Sequence, residues 1–255
     1  MTSHVAATFL SLFMGSFAQA GIMVNSSAPY TQNFDTLALS GSSSVTPAGW
    51  EFLEIGTANN TLYNTGTGSD NTGDTYSFGA TGETDRAFGG LRSGSLIPTI
   101  GASFTNGAAT SIQSLQISYE GEQWRLGAAG RTDRLDFQYS INATSLNTGA
   151  WLDFNTLDFV SPFTTTTGAL NGNLSANRTP LVGSINDLNL GVGQTLWIRW
   201  NDFDATGSDD GLGIDNFSLT AQFAAVPEPS SVAFIIAGGL CTAIYQKRRQ
   251  PRDRK

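Results

Sequence analysis

The chain has 255 residues, 40% hydrophobic and 13% charged, with 29 glycines, one cysteine, one histidine and a net charge of −8. Cys241 and His4 lie near the two ends, so the body between them has no disulfide framework, no cysteine-based zinc site and no histidine-dependent catalytic triad. From Gly21 to Ala225 nineteen acidic residues stand against seven arginines and no lysine, and the resulting charge of −12 repels nucleic acid and anionic lipid.

The first twenty residues read as a secretory signal. Val5 to Phe17 is mostly apolar, and Ala18-Gln19-Ala20 is a small-x-small site with cleavage expected after Ala20. This makes the secretion machinery a partner. Residues 21–225 then form one exported domain, long enough for a single sizeable core. Short apolar stretches alternate with Asn, Ser, Thr and Gly, and no long run shows helical spacing, which predicts strands joined by turns.

Strands are expected at Tyr30–Phe34, Trp50–Ile55, Thr75–Phe78, Arg86–Leu91 and Leu96–Phe104. The clearest period of two follows: Leu115, Ile117 and Tyr119 oppose Gln116, Ser118 and Glu120, and Leu135, Phe137, Tyr139 and Ile141 oppose Asp136, Gln138 and Ser140. Trp151–Phe159 has a polar break at Asn155 and Thr156. Leu196, Ile198 and Trp200 alternate with Trp197, Arg199 and Asn201, and a last strand covers about Gly213–Phe223 with a shift of face near Asn216. Residues 40–44, 65–74 and 164–168 read as loops. A short helix is expected near Ser184–Leu190. About ten such strands exceed one open sheet, so the fold class is all-β: a two-sheet antiparallel β-sandwich of jelly-roll or lectin-like form.

Three constellations carry chemistry. Asp202, Asp204, Asp209, Asp210 and Asp215, interleaved with glycines, offer the oxygen ligands that Ca²⁺ favours, without the spacing of an EF-hand. Glu120 and Glu122 share a strand face at a separation compatible with a glycosidase pair, although Gly121 permits a bulge between them and nearby arginines offer simple pairing instead. Among five tryptophans, Trp124 and Trp197 are the candidates for stacking on a glycan, provided that they are exposed. The leading reading is a non-catalytic surface or matrix protein. A calcium-dependent carbohydrate-binding module is the alternative, and a glycoside hydrolase using Glu120 and Glu122 is a weaker one.

Residues 226–255 differ in kind from the rest. Pro227 and Pro229 end the preceding domain. Val232 to Tyr245 is fourteen residues of mostly apolar chain, short of the roughly 20 that cross a bilayer as a helix, and Lys247, Arg248 and Arg249 form a membrane-stop basic cluster behind it. The order Pro227-Glu228-Pro229, apolar segment, basic end resembles the PEP-CTERM sorting signal of bacteria. The resemblance implies transient association with the inner membrane through residues 232–245, processing by an exosortase-type membrane protease, and delivery to the cell surface or an extracellular polysaccharide matrix. Gln32-Asn33-Phe34-Asp35, Asp85-Arg86-Ala87-Phe88-Gly89 and Gly213-Ile214-Asp215-Asn216-Phe217, with the stretches 119–125 and 133–140, resemble an exported β-sandwich module often joined to such tails. By resemblance to jelly-roll binding modules, whose first and last strands a calcium ion ties together, Asp35 and Asp215 are the residues nearest that role.

Overall fold

Leu115, Ile117 and Tyr119 are each at most 2% exposed, while Gln116 between them faces solvent. This alternation builds the fold. A computed structural model describes residues 21–225. In chain order the strands are β1 Ile22–Val24, β2 Tyr30–Gln32, β3 Ser42–Ser43, β4 Trp50–Ile55, β5 Tyr63–Gly66, β6 Asp74–Phe78, β7 Ala87–Leu91, β8 Ile97–Asn106, β9 Ile112–Leu126, β10 Arg134–Ser140, β11 Leu152–Asp153, β12 Phe159–Val160, β13 Gly168–Ala169, β14 Arg178–Ile185, β15 Thr195–Asp202 and β16 Gly211–Phe223.

They form two sheets. In the first, β8 carries β1 and β4 along one edge and β15 along the other, and β10 follows with β11 and β12 beyond it. In the second, β9 and β16 form the centre. β13 and β14 pair with the free edge of β9, while β2 and β7 pair with the far edge of β16, and β6, β5 and β3 extend the sheet. Pairing is antiparallel except at β1 with β8 and β5 with β6. The all-β sandwich expected from the sequence is therefore present.

Aromatic rings fill the space between the sheets. Trp200 stacks on Trp50 at 6.0 Å and meets Phe137 at 5.1 Å, all three from the first sheet; across the gap it packs edge-on against Tyr119 at 5.2 Å and Phe217 at 6.0 Å from the second. Two smaller clusters cover the outer faces. Tyr76, Phe78, Ala87, Leu91 and Trp124 pack outside the second sheet, and Ala143, Leu146 and Trp197 outside the first.

The short helix expected near Ser184–Leu190 is not formed. Ser184 and Ile185 complete β14, and Asp187 and Asn189 adopt φ of 57° and 46°, a left-handed backbone that interrupts any right-handed helix. The expected loops at 40–44 and 65–74 contain pairing segments: β3 lies inside the first, β5 ends at Gly66 and β6 begins at Asp74.

Glu54 on β4 reaches across to the second sheet, where its Oε1 accepts the Thr75 amide at 2.9 Å while its Oε2 accepts the Asn60 amide at 2.9 Å. Asp74, beside it and 5% exposed, is pushed up to about 7 by burial and then by the neighbouring Glu54 carboxyl. The folded state thus keeps a proton that the unfolded chain loses near pH 4. Stability falls as pH rises from about 4 to about 7. Thermal melts across this range should show Asp74→Asn flattening the decline and, at pH 8, melting a few degrees above the parent; equal slopes in the two proteins would refute the raised Asp74 carboxyl.

Candidate metal centre

The site grows from the pairing of β9 with β16. Asp215 lies opposite Glu120 and Gly213 opposite Glu122, so the three acidic side chains share the outer face of the second sheet. Gly121 does not bulge. A β-carbon there would run into the Phe159 ring, and the strand passes regularly between its two glutamates. The irregularity lies on the partner strand, where the register shifts between Asp215 and Ser218 and Asn216 adopts φ of 50°. This bulge is the change of face expected near Asn216.

One carboxylate oxygen from each of Glu120, Glu122 and Asp215 lies within 4.8 Å of the others. Glu120 is half-buried and its Oε2 accepts Arg178 Nη1 at 2.9 Å and Asn216 Nδ2 at 3.2 Å. Glu122, 1% exposed, accepts Trp124 Nε1 at 2.9 Å. Asp215 is also 1% exposed, and its Oδ1 is fully buried and takes no hydrogen bond. A buried, unbonded carboxylate oxygen is costly unless a proton or a cation compensates it. Burial pushes the carboxyl of Asp215 up to about 8, and that of Glu122 up to about 7; neighbouring carboxylates, Asp85 among them in both cases, add to each shift. Three hard oxygen donors from two adjacent strands suit calcium, which completes six to eight ligands with carbonyls and water. The cluster can chelate such an ion, in line with the expectation of structural Ca²⁺.

The ligand set differs from the aspartates singled out in the sequence. Asp215 is shared. Asp35 is exposed, accepts the Arg86 amide at 3.2 Å, and acts on Asp215 through its charge. Asp204, Asp209 and Asp210 belong to a separate knot that fastens the loop before β16. Asp210 Oδ1 accepts the Gly127 amide at 2.8 Å, Asp209 Oδ1 accepts the Ala205 amide at 3.0 Å, and Asp204 pairs with Arg92 at 3.2 Å on the surface. Asp133 and Arg131 complete the knot, and Asp202 is buried with neither carboxylate oxygen hydrogen-bonded, its carboxyl raised by burial and then by the charges of Asp133 and Asp209. Among the described residues these side chains do not join the three-carboxylate group.

Two further expectations fail on burial. Trp124 is 1% exposed and stacked on Phe78 with ring centroids 6.0 Å apart; the Leu170 amide bonds its carbonyl, and Gly172 lies against its indole nitrogen. Trp197 is 7% exposed beneath the loop carrying Ala143 and Leu146. Neither offers a ring face to a sugar. The glutamates do share a face, but a scissile bond cannot reach Glu122. The sorting motif Pro227, Glu228 and Pro229 and the basic cluster Lys247, Arg248 and Arg249 lie outside the described residues.

No protein-family model and no curated protein matches the chain. Among solved structures the chain is similar to a cleaved adhesin domain of Lys-gingipain from Porphyromonas gingivalis, with a TM-score of 0.39, 13% identity and coverage of 68% of this chain and 93% of that one. It is also similar to the CBM22-1 xylan-binding domain from Paenibacillus barcinonensis (TM-score 0.33, 11% identity, 79% and 99% covered) and to TmCBM61 in complex with β-1,4-galactotriose (0.34, 8%, 67% and 88%). At such identities, function has to be read from this chain's own side chains.

Proposed function

We propose that this chain is an exported, non-catalytic module of the cell surface or extracellular matrix that binds polysaccharide, its second sheet clamped by a calcium ion held by Glu120, Glu122 and Asp215. The observation that carries the reading is the buried, unbonded Asp215 Oδ1 within reach of two further carboxylate oxygens. That arrangement is expensive in isolation and favourable around a hard cation. Its acids are spent on this role: Glu122 is sealed beneath Trp124, and Glu120 is engaged by Arg178 and Asn216, which leaves no accessible pair for glycoside hydrolysis. A domain of formal charge −12, with seven arginines among nineteen acidic residues, suits an uncharged polysaccharide better than nucleic acid or an anionic membrane.

In this reading residues 1–20 direct the chain to the secretion machinery, residues 21–225 are the exported body, and residues 226–255 are a sorting tail processed by an exosortase-type protease near Pro227-Glu228-Pro229. The expected result is a rise of about 5–10 °C in the melting temperature when millimolar CaCl₂ replaces chelator at low ionic strength. A site filled at a hundred times its Kd contributes about 2.7 kcal/mol, worth about 2–4 °C per kcal/mol in a domain of this size. Superimposable melts in CaCl₂ and in chelator would remove the ion from the account.

A further inference from the structure

Two of the motifs noted in the sequence, Gln32-Asn33-Phe34-Asp35 and Gly213-Ile214-Asp215-Asn216-Phe217, meet at one corner of the second sheet, and the metal centre uses only part of it. β2 pairs with β16 just past the bulge, with Thr31 opposite Ser218 and Gln32 opposite Phe217. An open hollow of about 410 Å³ lies there, lined by Thr31, Gln32, Asn33, Asn216, Phe217 and Ser218. Its volume falls within the range of small-molecule clefts, about 300–1,000 Å³. None of these residues is ionisable, in a domain of charge −12. Three carboxamides and two hydroxyls each offer both a donor and an acceptor, which matches the two-way hydrogen bonding of a sugar hydroxyl.

The amides are held in place from behind. Asn216 Nδ2 donates to Glu120 Oε2 at 3.2 Å, and Asn33 Nδ2 donates to Asp35 Oδ2 at 2.6 Å. Two of the four described non-glycine residues with positive φ, Phe34 at 56° and Asn216 at 50°, stand at this corner. Phe34 is fully buried against Trp50, and the Gln32 side chain caps its amide at 2.8 Å. Backbone of this kind persists only where surrounding structure enforces it, and it gathers at ligand sites.

We propose that this hollow is the glycan subsite, that it takes an uncharged polysaccharide segment, and that the cation supports it by fixing Glu120 and through it the Asn216 amide. The inference rests on the reading that the module binds extracellular polysaccharide, and it names the place and the charge class. Affinity electrophoresis of the protein through gels containing dextran, β-1,4-galactan, xylan, alginate or chitosan tests it, with Asn216→Gly and Asn33→Ala as variants. Glycine keeps the left-handed bulge and removes only the amide. The expected result is retention by at least one of the three neutral glycans, weakened tenfold or more in each variant and weakened by chelator, while both variants keep the melting response to CaCl₂. Retention unchanged in both variants would overturn the subsite and leave polysaccharide binding standing. Retention by alginate or chitosan alone would overturn the uncharged class proposed for the hollow, and retention by no glycan would sink the polysaccharide reading as well. Loss of the calcium response in Asn216→Gly would assign the amide to the metal centre and overturn a separate subsite.

Discussion

Replacing Trp200 with alanine is expected to lower the melting temperature by about 10 °C or more, the largest loss for any single substitution considered in this domain. Deleting a buried Trp costs about 3–5 kcal/mol through lost transfer free energy and the cavity left behind, at about 2–4 °C per kcal/mol for a chain of this length. The upper end applies because of what the ring touches. Trp50 and Phe137 hold one side of it and Tyr119 and Phe217 the other, so the cavity opens at the point where the two sheets meet. Val182→Ala on β14, at a side chain 62% exposed, is the control and should move the melt by no more than about 0.5 kcal/mol. Similar melts for the two variants would show that the sandwich core is centred elsewhere.

Asp215→Ala is expected to weaken calcium binding by about a hundredfold or more while leaving the calcium-free melt within a few degrees of the parent. Loss of groups that merely orient metal ligands costs about 10–100-fold in affinity, and Asp215 is itself a ligand in this account. Its removal costs the calcium-free protein little, because the Oδ1 has no hydrogen bond to lose and burial already penalises its charge. This asymmetry separates a binding role from a folding role. An aspartate needed only for folding would depress the calcium-free melt; one that matters to neither would leave the affinity intact.

The parts of this architecture that depend on neighbours in sequence were legible in advance. Trp50–Ile55 matches β4 residue for residue, and the alternation at Leu115, Ile117 and Tyr119 marks the buried face of β9. The edge strand β14 was not legible. It reads Arg-Thr-Pro-Leu-Val-Gly-Ser-Ile, and Pro180 and Gly183 hide it from any pattern rule, although an edge strand can place a proline where no amide is required. The helix expected at Ser184–Leu190 failed because Asp187 and Asn189, both tolerant of left-handed backbone, turn the chain back toward Gln113 and Ile112.

The metal centre was visible in pieces. Glu120 and Glu122 stood out as a pair and Asp215 as part of an acidic run, but nothing local says that they belong together. Their meeting depends on the register that places Asp215 opposite Glu120 across 95 residues of chain. Aspartates 202, 204, 209 and 210 drew attention by density alone, and most are consumed in fastening their own loop. Trp124 and Trp197 were misplaced for the complementary reason. Alternation assigns a residue to the outer face of a sheet, but it cannot show that a distant loop, here the ones containing Gly172 and Leu146, closes over that face.

Calorimetric titration of the metal-free protein with CaCl₂ tests the central claim most directly. One calcium ion per chain, with binding lost in Asp215→Ala, is the result predicted. Heats no larger than those of dilution, in a protein whose melt shows it to be folded, would contradict it.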